Sequence, residues 1–351
     1  MSDERLRLGY LTEIFGRPHP ETLIVPSLIG VCAQDDAAVV RVTDKISLVI
    51  ASDFIRGTGF YLFELGYLNH YDVGFYLVAA NLSDIAAMGI RPTGLTTVVR
   101  YNPNMTDEQF RQVFEGIRAA ADLYDVEVVG GDIGGYSVDV FAATAFGFAK
   151  GDKVLLRSGA RPGDLLCVTG TVGLPITALT YFKQAKTMGF QLPEAVEQRL
   201  LQSWKRPIPR IVEGTLLADN DIANACQDVS DGLKATIEEI SIRSGITFTI
   251  YSEALPVHAA TNEVSKFLGI SAAQLALSAS VDFELLFTIP RAVEERCSAL
   301  FKERELSFSV IGHTNSSGQN EIVLDGITVP LPGTAWNQQY GDLIEQVVRR
   351  P

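Results

Sequence analysis

Two hydrophobic periods alternate along the first 150 residues. AAVVRV (37–42) and ISLVIAS (46–52) are β-rich runs, and the second leads straight into Asp53. GFYLVAANLSDIAAMG (74–89) is small and apolar throughout, which predicts a helix buried against a sheet. GLTTVVRY (94–101) reads as the next strand. TDEQ at 106–109 is a capping-box signature. The helix behind it gathers Phe110, Val113, Phe114, Ile117, Ala121 and Tyr124 on one face. VEVVGGD (126–132) predicts a strand running into a glycine turn, and VFAATAFGFAK (140–150) a strand long enough to be central.

A polar, turn-rich stretch, GDKVLLRSGARPGD (151–164), marks a boundary between domains 1–150 and 151–351. Beyond it LLCVTG, ITFTIY, FELLFTI, SFSVIG and EIVLDG predict strands. Helices are expected before Trp204, in LKATIEEISIRSG, around 262–268 and in AVEERCSALFKEREL, with RPIPR interrupting the chain. The mixture of strands and helices defines an α/β (α+β) protein, and 351 residues fit two domains.

Hydrophobic residues make up 47% of the chain and charged residues 20%, ordinary for a globular protein. A net charge of −13 argues against a general nucleic-acid binder. Small phosphate ligands remain compatible, because a bound metal reverses the local sign. Cys32, Cys167, Cys226 and Cys297 form no CxxC pair and fit reduced thiols in a cytoplasmic protein. The N-terminus lacks a signal-peptide pattern, and no membrane span is expected. His19, His70, His258 and His313 share no ligand spacing.

Six aspartates change this picture. Asp35, Asp53, Asp84, Asp132, Asp228 and Asp231 sit in five segments that are mostly apolar or glycine-flanked. A buried carboxylate is costly without a cationic partner, and almost no Lys or Arg lies in these segments. Divalent metal is the economical partner, and hard oxygen ligands select magnesium or calcium. Each has a plainer alternative. Asp84 fits a helix-terminal or a solvent-facing residue. Asp132 fits a turn former. Ser230 or Asp231 fits the cap of the helix LKATIEEI. One of Asp35 and Asp36 fits simple surface charge. The chain has no P-loop, kinase HRD/DFG set, GxGxxG after a strand, HExxH or GxSxG.

QDDAAV, a strand ending in Asp, NLSDIAAMG, GGD, RSGARPGD and DVSDGL, in this order, resemble the thiamine-monophosphate kinases. That family belongs with aminoimidazole ribonucleotide synthetase, selenophosphate synthetase and the hydrogenase-maturation dehydratase. The resemblance spans about residues 8 to 330. It implies a two-domain aminoimidazole ribonucleotide synthetase-like fold whose N-terminal sheet pairs with that of a second subunit, making a homodimer. It implies magnesium at Asp35, Ser52, Asp53, Asp84, Asp132, Asp228 and Asp231, with Asp84, Asp132 and Asp231 as catalytic carboxylates. It implies ATP contacts at Phe114, Gly131, Arg157 and Ser230. The substrates implied are ATP and thiamine monophosphate. Asp282 and Trp336 fall, more weakly, at acceptor contacts.

The chain also departs from that family. DFIRGTGF is one residue shorter than the family's stretch and carries no His, where the family has a substrate contact. Val281 stands where the family has a substrate-contacting Glu, and Gln34 where it has a glycine. The phosphate-donor half is nearly complete and the acceptor half is altered. Two rival functions follow: a relative acting on another phosphate or amide acceptor, and a non-catalytic paralogue that binds nucleotide.

Overall fold

The computed structural model describes residues 3–15 and 27–331. The first half of the chain holds α1 (Asp3–Phe15), β1 (Ser27–Ile29), β2 (Ala38–Thr43), β3 (Ile46–Ile55), α2 (Tyr61–Glu64), α3 (His70–Ala87), β4 (Pro92–Tyr101), α4 (Asp107–Tyr124), β5 (Glu127–Gly135) and β6 (Val140–Lys150). The second half holds β7 (Asp164–Thr169), α5 (Leu174–Thr180), α6 (Glu194–Lys205), α7 (Ile211–Asp219), β8 (Ala225–Asp228), α8 (Leu233–Ser244), β9 (Thr247–Tyr251), α9 (Ala259–Leu268), α10 (Ala272–Ala276), β10 (Leu285–Pro290), α11 (Glu294–Glu303), β11 (Phe308–Asn315), β12 (Glu321–Leu324) and β13 (Ile327–Pro330).

The strands form two sheets, ordered β1-β2-β3-β6-β4-β5 and β13-β12-β9-β11-β7-β10-β8. β6 is central, as its apolar run predicts. Among the described residues of the first sheet only β4 and β5 pair in parallel, with α4 as their crossover. In β6 the residues from Phe141 to Ala149 at odd positions are buried, and those at even positions are more open. The odd face packs on α3, and the even face is left outside.

Helix α3 is buried nearly all round, which explains its lack of an apolar stripe. Asn69 and Asp72 close its N-terminus in a reciprocal capping box. Gly74 and Gly116 let α3 and α4 touch backbone to backbone. A Cβ on Gly74 would come within 1.9 Å of the Val113 carbonyl oxygen, and one on Gly116 within 2.0 Å of that of Tyr71. The capping box at Thr106 and Gln109 forms as the sequence predicts. Behind it, Val113, Ile117 and Ala121 are buried, while Phe110, Phe114 and Tyr124 pack at the core's margin.

The strand VEVVGGD does not end in a turn. β5 continues through both glycines to Gly135, paired with β4 as far as Tyr101. A register shift leaves Val129 without a partner opposite Leu95 and Thr96. At Gly131 a Cβ would lie 2.2 Å from the Thr97 carbonyl oxygen, so the close strand approach there excludes a side chain. Among the described residues no helix is long and apolar enough to cross a membrane.

Candidate active site

Asp36, Asp84 and Asp228 meet where the two halves of the chain join, and carboxylate oxygens of all three lie within 4.8 Å of one another. Asp84 comes from buried α3, Asp228 from the end of β8, and Asp36 from the loop before β2. The Ser83 hydroxyl donates to Asp228 Oδ2 at 2.6 Å, and the Ser230 hydroxyl to Oδ1 at 3.0 Å. Arg157 donates through Nε (3.0 Å) and Nη2 (2.5 Å) to Asp36 Oδ1, and through Nη1 to the Gln34 carbonyl (3.1 Å). Its backbone N–H faces both oxygens of Asp35 at 3.3 Å.

Charge in this group is out of balance. Burial raises Asp36 to about 7, against the pull of Arg157, and Asp228 pushes it further. Asp84 is raised well above its ordinary value by burial and then by Asp228, Asp36 and Asp53. Burial also raises Asp228, although Ser83 and Ser230 stabilise its charged form. Burial alone would lower Arg157, but Asp36, Asp228 and Asp35 outweigh it and hold the guanidinium charged. One guanidinium cannot neutralise three carboxylates. Asp36 Oδ2 is buried with no hydrogen-bond partner among the described residues. An all-oxygen donor set with surplus negative charge and an orphaned oxygen fits a magnesium ion.

Next to this group is a cavity of ≈ 570 Å³. Asp53, Arg56, Ser230 and Asp231 line it. Phe60, Tyr76, Trp204 and Phe283 supply its aromatic surface. Asp53 is open to the cavity yet walled by protein, and that desolvation raises it, helped by Asp228. Its backbone N–H donates to Asn81 Oδ1 at 3.0 Å, while Asn81 Nδ2 donates to the Leu77 carbonyl at 2.9 Å.

The structure gathers only part of the expected set. In the QDD pair it is Asp36 that joins the carboxylate group, because its side chain is fully enclosed (0% exposed). Asp35 instead braces the Asp36 and Arg157 backbone N–H groups. Ser52 is exposed and bonds the Thr144 hydroxyl at 2.8 Å. Asp132 is exposed on β5 and ion-paired with Arg100. Across the sheet it aligns with Val98, Ala142 and Phe54, one residue out of step with Asp53. It therefore projects from the face opposite to Asp53, and Gly131 stays on that same edge strand. Phe114 packs against Phe110 at a ring separation of 4.8 Å, outside the cavity lining. Neither Ser230 nor Asp231 occupies the cap of α8, which falls on Gly232. Asp282 turns its Oδ1 to the Gly173 N–H at 2.8 Å, while its neighbours Val281 and Phe283 line the cavity. Trp336 lies outside the described residues. Sequence reasoning did not single out Asn81, Ser83, Tyr76, Trp204 or Phe283. Asn81 and Ser83 had a signal: they are polar residues inside an otherwise apolar helix.

The chain matches two family descriptions, "AIR synthase related protein, N-terminal domain" over residues 34–149 and "AIR synthase related protein, C-terminal domain" over residues 161–325. Fold and carboxylate group thus define a two-domain AIR synthase-like α/β protein. Within that class it is 33% identical to the thiamine-monophosphate kinase of Pyrococcus horikoshii, over 88% of this chain and 91% of that one. It is 29% identical to that of Salmonella typhimurium, over 91% and 94%. A solved structure described as AaThiL complexed with AMPPCP and TMP superposes with a TM-score of 0.75 at 25% identity, covering 96% of this chain and 97% of that one. The chain belongs to the thiamine-monophosphate kinase family.

Proposed function

We infer that this chain transfers the γ-phosphoryl group of ATP to the phosphate of thiamine monophosphate, giving thiamine diphosphate and ADP. The observation that carries this reading is the buried Asp36–Asp84–Asp228 group opening beside an aromatic-walled cavity. The family match supplies the identity of both substrates.

Asp36, Asp84 and Asp228 would hold magnesium, with Asp53 and Asp231 at the cavity side. Bound magnesium would neutralise phosphate charge and align donor with acceptor. Arg157 fixes Asp36 through a two-nitrogen contact and contributes the local positive charge. Asn81 holds the Asp53 backbone, and Ser83 holds Asp228, so the carboxylates are oriented before any ligand arrives. The acceptor phosphate is already ionised at neutral pH, so no side chain need remove a proton. That accords with a cavity that no histidine lines among the described residues. The aromatic wall excludes water that would otherwise compete as acceptor.

The chain acts as a homodimer joined through the outer face of its first sheet. Phe54, Val98 and Phe148, all on that face, are exposed on β3, β4 and β6, an apolar surface that invites cover. The two domains are residues 1–150 and 151–351, and the enzyme is cytoplasmic. Incubation with magnesium, ATP and a panel of phosphate monoesters tests the reading. Thiamine monophosphate is expected to be consumed in preference to the rest. Preference for another phosphate would transfer the chain to a different substrate.

A further inference from the structure

Phe283 has a left-handed backbone (φ 53°), a conformation that a bulky side chain adopts only under constraint. Its two neighbours supply that constraint. Asp282 is fastened to the Gly173 N–H at the start of α5. Glu284 accepts from Arg210 Nε (2.6 Å) and Nη2 (2.5 Å) and from the Thr169 hydroxyl (2.6 Å). Between them the Phe283 N–H donates to the Val229 carbonyl at 3.0 Å, and the Val229 N–H to the Glu284 carbonyl at 2.8 Å. A core phenylalanine with no further task gains nothing from such a backbone, which costs about 1–3 kcal/mol.

The constraint directs the ring into the cavity wall. Phe283 meets Tyr76 edge-on at 5.6 Å, Tyr76 stacks on Trp204 at 6.0 Å, and Trp204 meets Phe60 at 4.4 Å. The Trp204 indole N–H is tied to the Pro175 carbonyl at 2.9 Å, so this row of rings is fixed from behind. Val281 extends the wall as an apolar residue.

We propose that Phe283 is a specificity-determining residue for the acceptor, held by Arg210–Glu284 and Asp282 so that its ring, with Tyr76, Trp204 and Phe60, receives a planar heteroaromatic ring borne by a phosphate ester. This rests on the phosphotransferase reading above and assigns it the surface that selects the acceptor's ring. It also accounts for the missing polar acceptor contacts, since ring recognition here is carried by aromatic surface. Arg210 is a positioning residue, acting through Glu284.

The test compares Phe283→Leu, which keeps bulk, with Phe283→Tyr, which keeps the ring. One aromatic contact is worth about 0.5–1.5 kcal/mol, or roughly two- to tenfold in affinity. Phe283→Leu is expected to raise KM for thiamine monophosphate by that factor, with KM for ATP unchanged and kcat nearly so. Phe283→Tyr is expected to restore the wild-type KM. Equal acceptor KM values in all three proteins would overturn the proposal. A second measurement needs no variant. In wild-type protein protonated only at phenylalanine, NMR saturation transfer is expected to reach the ring protons of thiamine monophosphate, and its absence at saturating ligand would overturn the proposal. Failure of the broader reading is distinct: wild-type protein would then make no thiamine diphosphate at all.

Discussion

Ser83 and Asp228 are 145 positions apart in sequence and 2.6 Å apart in space, joined by a hydroxyl-to-carboxylate hydrogen bond that is fully buried. The contact ties α3, which backs the first sheet, to the last residue of β8 in the second. It sets one carboxylate of the buried group against the helix that carries another. Replacing Ser83 with Ala should cost about 1–3 kcal/mol, the range for a lost hydrogen bond to a charged or buried group. The magnesium concentration for half-maximal activity should rise about tenfold or more, as when a partner of a ligand is removed. Urea denaturation and a magnesium titration of turnover check the two effects separately.

Asp84 should show opposite effects on stability and activity. Burial and its neighbours Asp228 and Asp36 disfavour its charge, so removing the charge relieves the metal-free protein. In EDTA, Asp84→Asn is expected to be more stable than the parent. With magnesium and ATP its turnover should fall by at least about 100-fold, reflecting several kcal/mol of lost charge stabilisation. Thermal melts with and without magnesium provide the check: the parent should gain stability from the ion and the variant should not.

Much of this site could be read from sequence because its elements carry strong local patterns. NLSD stands out as polar residues in an apolar helix, and DVSD as a short strand followed by a glycine. Adjacent residues were harder to separate. Asp35 and Asp36 share every local feature, and only the packing of Arg157 against the loop decides that Asp36 is enclosed. The glycine turn expected beside Asp132 failed for a related reason. Its glycine-rich flank suggested a turn, yet pairing with β4 keeps β5 extended and sends its carboxylate to the outer face. The aromatic wall left no local signature. Phe60, Tyr76, Trp204 and Phe283 come from four separate elements or loops, and each alone looks like core.

Asp282 gives a pH dependence of stability. Burial raises its carboxyl from the ordinary 3.8 to about 8, against the opposing pull of its hydrogen bonds. Between those values the folded protein keeps a proton that the unfolded chain has lost. This contribution to stability therefore falls as pH rises from about 4 to about 8 and is flat beyond. Asp282→Asn keeps the acceptor for Gly173 and removes the titration. It should flatten the stability profile and gain at least about 1 kcal/mol over the parent at pH 8. Urea midpoints at pH 5, 6.5 and 8 measure it.

The outer sheet face predicts an assembly effect. Phe148 is 52% exposed on central strand β6, on the same face as exposed Phe54 and Val98. A carboxylate at that position, in Phe148→Asp, would be desolvated without a partner on dimerisation. Light scattering should report a dimer for the parent and a monomer for the variant at micromolar concentration. An unchanged mass would place any interface elsewhere.

The central claim is that the carboxylate group and the cavity together phosphorylate thiamine monophosphate. Chromatographic measurement of thiamine diphosphate and ADP, from wild type and Asp36→Asn side by side, tests it most directly. With magnesium, ATP and thiamine monophosphate, wild type is predicted to yield the two products mole for mole, and Asp36→Asn almost none. ADP without thiamine diphosphate, or equal yields from both proteins, would contradict the account.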